Sequence, residues 1–106
     1  MYKLVLTEFP FTEASKKKKR PGLLLSEAYG KYKIMLIAYI TSQRGEGLES
    51  EVRVGKTDEN GLGKNSVIKL HKLTNLPQSA IKGELGVLSA EKSIEVQNKL
   101  KKLLQL

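Results

Sequence analysis

The stretch Lys31-Tyr-Lys-Ile-Met-Leu-Ile-Ala-Tyr-Ile-Thr-Ser42 decides the fold. Tyr32, Ile34 and Leu36 alternate with Lys33 and Met35, and the run is then wholly apolar as far as Ile40, which reads as the longest strand of the chain. Upstream, Gly22-Leu-Leu-Leu-Ser-Glu27 is a second strand, and its consecutive leucines fit burial on both faces. Ala28-Tyr-Gly30 supplies the turn between them, and Tyr2 to Thr7 forms an earlier strand. Phe9 to Arg20 is a loop. Downstream, the polar loop Gln43–Ser50 leads to a short alternating strand, Glu51-Val-Arg-Val54. A second loop, Lys56–Lys64 with Gly61 and Gly63, precedes a strand from Ser66 to Leu73. Pro77 to Leu88 reads as connection with at most one helical turn.

Only the C-terminus carries a helical pattern. Ser89 is placed to cap its first turn, Glu91 suits the positive end of the helix dipole, and Lys99, Lys101 and Lys102 suit the negative end. Ile94, Leu100, Leu103 and Leu104 approximate one apolar face, which is expected in the core. Five or more short strands and one terminal helix predict a mainly β fold, a small, strongly bent antiparallel barrel. At 106 residues, 1–106 is expected to be a single domain.

The bulk composition narrows the function classes. There is no Cys, hence no disulfide framework and no thiolate chemistry. The longest apolar run is far too short to span a bilayer, and the N-terminal segment does not read as a signal peptide, so a cytoplasmic protein without membrane contact is expected. The net charge is +8, concentrated in residues 1–34, with a balance of +5, and residues 61–82, which hold four lysines and no acid. If these two blocks share a face they form a stripe that attracts a polyanion, nucleic acid first and an acidic protein or anionic membrane behind it.

The same inventory removes most catalytic machinery. One His and one Asp leave no typical spacing for zinc, for a hard cation or for a Ser-His-Asp triad, and no phosphate-cradling glycine loop is present. Cofactors are therefore not expected. RNA cleavage fits such a chain, because RNA carries its own nucleophile in the neighbouring 2′-OH and needs only a cation, hydrogen-bond donors and a proton shuttle. Arg20 is the candidate cation: Pro21 holds it in extended backbone where a lysine-rich loop meets an apolar strand, and its planar fork suits phosphate. Its plainer reading is an ion pair with Glu8 or Glu27. His71 is the obvious proton shuttle by residue type, though a lone strand histidine is more often structural or merely exposed. Thr41 taken alone is a β-branched strand residue. Tyr29, Tyr32 and Tyr39 could stack on bases, but their spacing favours core or interface packing.

Phe9-Pro10-Phe11, Lys19-Arg20-Pro21-Gly-Leu-Leu-Leu-Ser26, Ile37-Ala-Tyr-Ile-Thr41-Ser42, Gly61-Leu-Gly-Lys-Asn-Ser66-Val-Ile and Leu85-Gly-Val-Leu-Ser89 resemble, in order and spacing, the MazF/PemK-type toxins of bacterial toxin–antitoxin systems. The resemblance implies an SH3-like, MazF/CcdB-like barrel that forms a homodimer. It further implies a metal-independent endoribonuclease that cuts single-stranded RNA at short sequences, leaving a 2′,3′-cyclic phosphate and a 5′-OH. By position, Arg20 and Thr41 match the family's catalytic arginine and threonine. Phe11, Thr12, Lys18 and Lys19 fall in the matching loop that closes over RNA and packs against an antitoxin, and Ser42 lies beside Thr41; all five are candidate RNA contacts. An acidic antitoxin is the implied protein partner. Tyr2-Lys3 stands where the family usually has Gly-Asp, and the run Lys16–Lys19 makes the loop more basic than the motif demands, so no cut-site preference carries over. Two other readings stand beside the nuclease: a CcdB-like toxin that poisons a protein target such as gyrase, and a non-catalytic basic barrel that only binds nucleic acid.

Overall fold

The computed structural model describes residues 2–9 and 19–106. Six strands are β1 (Lys3–Glu8), β2 (Lys19–Leu24), β3 (Ile34–Thr41), β4 (Glu51–Val54), β5 (Ser66–Pro77) and β6 (Ile81–Val87), followed by helix α1 (Ala90–Leu104). They form one antiparallel sheet in the order β4-β5-β3-β2-β1-β6. The mainly β fold with a C-terminal helix is as the sequence predicts, but among the described residues the hydrogen-bond ladder does not close into a complete barrel. Edges β4 and β6 are left, and the loop after β4 lies along β6, where the Val87 amide donates to the Glu59 carbonyl at 2.8 Å.

The sheet bends where β5 slips against β3. The partner of Ala38 is Leu73 and that of Tyr39 is Lys69, so Leu70, His71 and Lys72 bulge out of the pairing. A bulge of this kind kinks its strand and sharpens the local twist. Leu4, Leu23, Ala38, Ile40, Val52, Ile68 and Leu70 then meet in one core, closed by Leu88 and by Val96 of α1.

Several boundaries depart from the sequence reading. β2 starts at Lys19 rather than Gly22, so Arg20 lies inside a strand. Lys31–Lys33 form a turn instead of opening β3, with Lys33 at φ 54°. The facing of β3 is also reversed: Met35 and Ile37 are buried while Tyr32 and Leu36 are exposed. β5 runs on to Pro77, and the stretch read as connection holds a 3-10 turn, Gln78–Ala80, and the whole of β6. The helix ends are as expected, with the Ser89 hydroxyl accepting from the Lys92 amide and Gln105 closing the last turn in left-handed backbone. Its face is not. Ser93 and Val96 are buried and Leu100 packs at the core margin, whereas Ile94, Leu103 and Leu104 are exposed. No helix among the described residues is long and apolar enough to cross a membrane.

Candidate functional site

The site begins with a missing hydrogen bond. β2 pairs with β3 at Gly22↔Tyr39, Leu23↔Ala38 and Leu24↔Ile37, and the ladder stops there. Continued by two residues, the register would set Arg20 opposite Thr41. Pro21 has no N–H to give to that ladder. Beyond Gly22, β2 pairs only with β1 (Arg20↔Thr7) and β3 only with β5 (Thr41↔Val67). The two central strands therefore diverge where Arg20 and Thr41 lie, and both side chains line the cavity between them.

That cavity is about 170 Å³, and Tyr39, Ser42, Gly63, Lys64 and Ser66 share its wall with Arg20, Pro21 and Thr41. Arg20 is half-buried, and its Nε is buried with no hydrogen-bond partner among the described residues. Neither Glu8 nor Glu27 forms an ion pair with it. A desolvated donor left unsatisfied is costly, and native proteins retain few of them. Across the gap, the Thr41 Oγ1 accepts from the Gln43 amide at 3.1 Å, which leaves its O–H free to donate elsewhere. Ser42 is exposed beside it, and Lys19 is exposed at the start of β2. Phe11, Thr12 and Lys18 lie outside the described residues.

Packing behind the groove is tight. Phe9 is buried and meets Tyr39 edge-on at 5.2 Å. A Cβ on Gly22 would lie 2.7 Å from the Ile37 Cγ2 and 2.8 Å from the Phe9 ring, so only glycine lets this ring sit over β2. The loop carrying Lys64 is equally well held. The Asn60 Oδ1 accepts from the amides of Thr57 and Leu62, both at 3.0 Å, and its Nδ2 donates to the Gly55 carbonyl at 2.8 Å. Gly61 has φ +69°, and a side chain there would run into the Leu85 carbonyl.

The loop after Thr41 is organised from its far end. The Glu51 carboxylate accepts from the amides of Glu46, Gly47 and Leu48 and lies 3.5 Å from the Lys69 ammonium. The Glu46 amide, followed by those of Leu48 and Gly47 and by Lys69, holds its pKa below the ordinary glutamate range against the opposing effect of burial. Lys69 is buried and pushed upward, chiefly by its hydrogen bond to Glu46 at 2.7 Å.

Other sequence candidates do not reach this groove. His71 sits in the β5 bulge, hydrogen-bonded through Nδ1 to the Ser50 hydroxyl at 2.8 Å, and lines a separate cavity beside α1. Tyr29 and Tyr32 are exposed rather than packed in the core, whereas Tyr39 does line the groove. The second basic block also divides: Lys64 lines the groove while Lys69 is internally paired. No residue of the Leu62–Ser66 wall was singled out by sequence as a site residue. The available signals were the basic block that Lys64 opens and the quoted segment Gly61–Ile68.

A family profile described as the PemK-like, MazF-like toxin of type II toxin–antitoxin systems matches residues 2–104. No curated protein sequence matches the chain. Among solved structures, Mycobacterium tuberculosis toxin MazF-mt6 is similar at TM-score 0.78 and 22% identity, covering 98% of this chain and 97% of its own. MazF from Deinococcus radiodurans (Form-I) is similar at TM-score 0.72 and 25% identity, over 99% and 94% of the two chains. An endoribonuclease in complex with its cognate antitoxin, from a mycobacterial species, is similar at TM-score 0.74 and 14% identity, over 98% and 92%. With a profile match across nearly its full length and the same fold in these toxins, the chain belongs to the PemK-like, MazF-like toxins of type II toxin–antitoxin systems.

Proposed function

We propose that the protein is a metal-independent, sequence-selective endoribonuclease that cuts single-stranded mRNA and is neutralised by a cognate acidic antitoxin. The observation that carries this reading is the placement of Arg20 and Thr41 at the open ends of the adjacent strands β2 and β3, with an arginine donor buried and unpartnered among the described residues. In the proposed reaction the 2′-oxygen attacks the adjacent phosphorus as the bond to the 5′-oxygen breaks, giving a 2′,3′-cyclic phosphate and a 5′-OH. Charge builds on the non-bridging oxygens of the phosphorane. The Arg20 fork supplies charge-assisted donors to those oxygens, and the Thr41 hydroxyl adds a neutral one from the end of a rigid strand. Lys19 and Ser42, with Phe11, Thr12 and Lys18 of the preceding loop, are the proposed RNA contacts.

Net charge of +8 favours both a polyanionic substrate and an acidic partner segment, and the antitoxin-bound neighbour adds weight to the latter. Exposed Ile94, Leu103 and Leu104 on α1 favour the homodimer. The decisive experiment incubates purified protein with mRNA in excess EDTA and maps the ends of the products. Cleavage with cyclic-phosphate and 5′-OH ends is expected. Intact RNA at every protein concentration, or activity that vanishes with EDTA, overturns the reading; intact RNA together with gyrase binding moves the protein to the CcdB-like class.

A further inference from the structure

Lys64 lines the groove from the loop before β5, whose backbone is pinned on both sides. The buried Ser66 donates its hydroxyl to the Lys64 carbonyl at 2.8 Å. Asn65 accepts the Lys56 amide at 3.0 Å, and Leu62, two residues upstream, is buried. The Lys64 side chain itself is exposed and makes no hydrogen bond or ion pair among the described residues, although Asp58 and Glu59 stand in the same loop. Lys69, five residues on, is locked between Glu46 and Glu51. A free ammonium on a fixed segment is organised for a ligand before the ligand arrives, which lowers the ordering cost of binding.

We propose that Lys64 is a second phosphate-binding residue of the groove, holding the phosphodiester next to the one engaged by Arg20 and Thr41 and so setting the register of the RNA strand. The inference rests on the ribonuclease reading for the identity of the strand. Two features assign Lys64 to the neighbouring phosphate. Arg20 and Thr41 come from the ends of the adjacent strands β2 and β3, whereas Lys64 comes from the loop before β5. The cavity of about 170 Å³ also has room for several waters at roughly 30 Å³ each, more than one phosphate group occupies. A contact made equally in the ground and transition states acts on KM rather than on kcat.

The test compares Lys64→Ala and Lys64→Arg in the full chain. Lys64→Ala is expected to raise KM for a short RNA about tenfold, the loss of one charge-assisted contact, with kcat within about twofold. Lys64→Arg is expected to recover most of the KM. In an Arg20→Ala background, where cleavage is slow enough for binding to be read first, Lys64→Ala should reduce the salt slope of RNA binding by about 0.7. An unchanged KM and slope overturns the assignment, and so does a fall in kcat at constant KM. If the wild-type protein binds RNA but never cuts it, the ribonuclease reading fails while the salt slope still decides the Lys64 contact.

Discussion

The groove between β2 and β3 and the surface formed by β5, α1 and the Gln43–Ser50 loop are both rich in cations, yet they end in opposite electrostatic states. On the helix side four lysines have acidic partners: Lys92 and Lys99 share Glu95, Lys102 meets Glu49, and Lys69 sits between Glu46 and Glu51. Lys99 also reaches the Glu51 carbonyl at 2.7 Å, tying α1 to strand β4. In the groove, Arg20 and Lys64 have no acidic partner among the described residues. Counting lysines along the chain therefore locates positive charge but not an anion site. What distinguishes the candidate groove is positive charge left uncompensated, among the described residues, on a rigid frame.

The largest break in this contrast should come from Arg20→Ala, expected to lower RNA cleavage by about 10²–10⁴-fold with the thermal unfolding curve unchanged. Single-turnover rates alongside a melt check it, and full activity in the variant would contradict the assigned role. Thr41→Val keeps the β-branched shape and removes one neutral donor, so a smaller loss of about 10–10²-fold in kcat is expected from the same assay.

Asn60→Ala tests the frame instead of the charge. It strands the buried Leu62 amide and frees the loop that carries Lys64, at a cost of about 2–3 kcal/mol by urea titration. A loss below about 0.5 kcal/mol would mean that the loop does not depend on this hub.

Acid titration probes the paired side. Folding holds the Glu51 pKa below its ordinary value near 4.5, so its contribution is full above that pH and fades as pH falls through the lowered folded value. Lys69 behaves in the reverse sense: its contribution is full below about 10.5 and fades as pH climbs through its raised folded value. The melting temperature should therefore hold steady near neutrality and drop on the acid side, and Glu51→Gln should flatten that acid limb. An acid limb identical to wild type would show that other carboxylates govern it. The smallest effect belongs to Lys102→Ala, whose pair with Glu49 is exposed; the melting temperature should move by about a degree at most.

Element existence was legible where alternation or an apolar run stood between clear turn signals, as in β3, β4 and the first half of β5. β6 was not. Ile81, Gly83, Leu85 and Val87 do alternate with Lys82, Glu84 and Gly86, but Gly83 and Gly86 weaken the local strand signal. Gly86 is there because a side chain would collide with the Glu59 carbonyl and Asn60 backbone, a contact between segments far apart in sequence. The helix face failed for a related reason. Apolar spacing nominated Ile94, Leu103 and Leu104, while docking against β4 and β5 selected Ser93 and Val96 instead. Of the candidate groove, Arg20 and Thr41 were legible through their sequence neighbours; the wall from Leu62 to Ser66 offered only the basic block that Lys64 opens and the quoted segment Gly61–Ile68, with nothing to single out one residue.

The amino-acid order alone determined the alternating strands, the capped helix, the excess of positive charge and the position of Pro21, because each depends on residues a few places apart. Tertiary structure decided the rest: which strands pair, where β2 and β3 part, and that Lys64 lines the same groove as Arg20. Those outcomes hang on register and on contacts across long stretches of chain, where a single proline or bulge is felt only once its partner strand is in place.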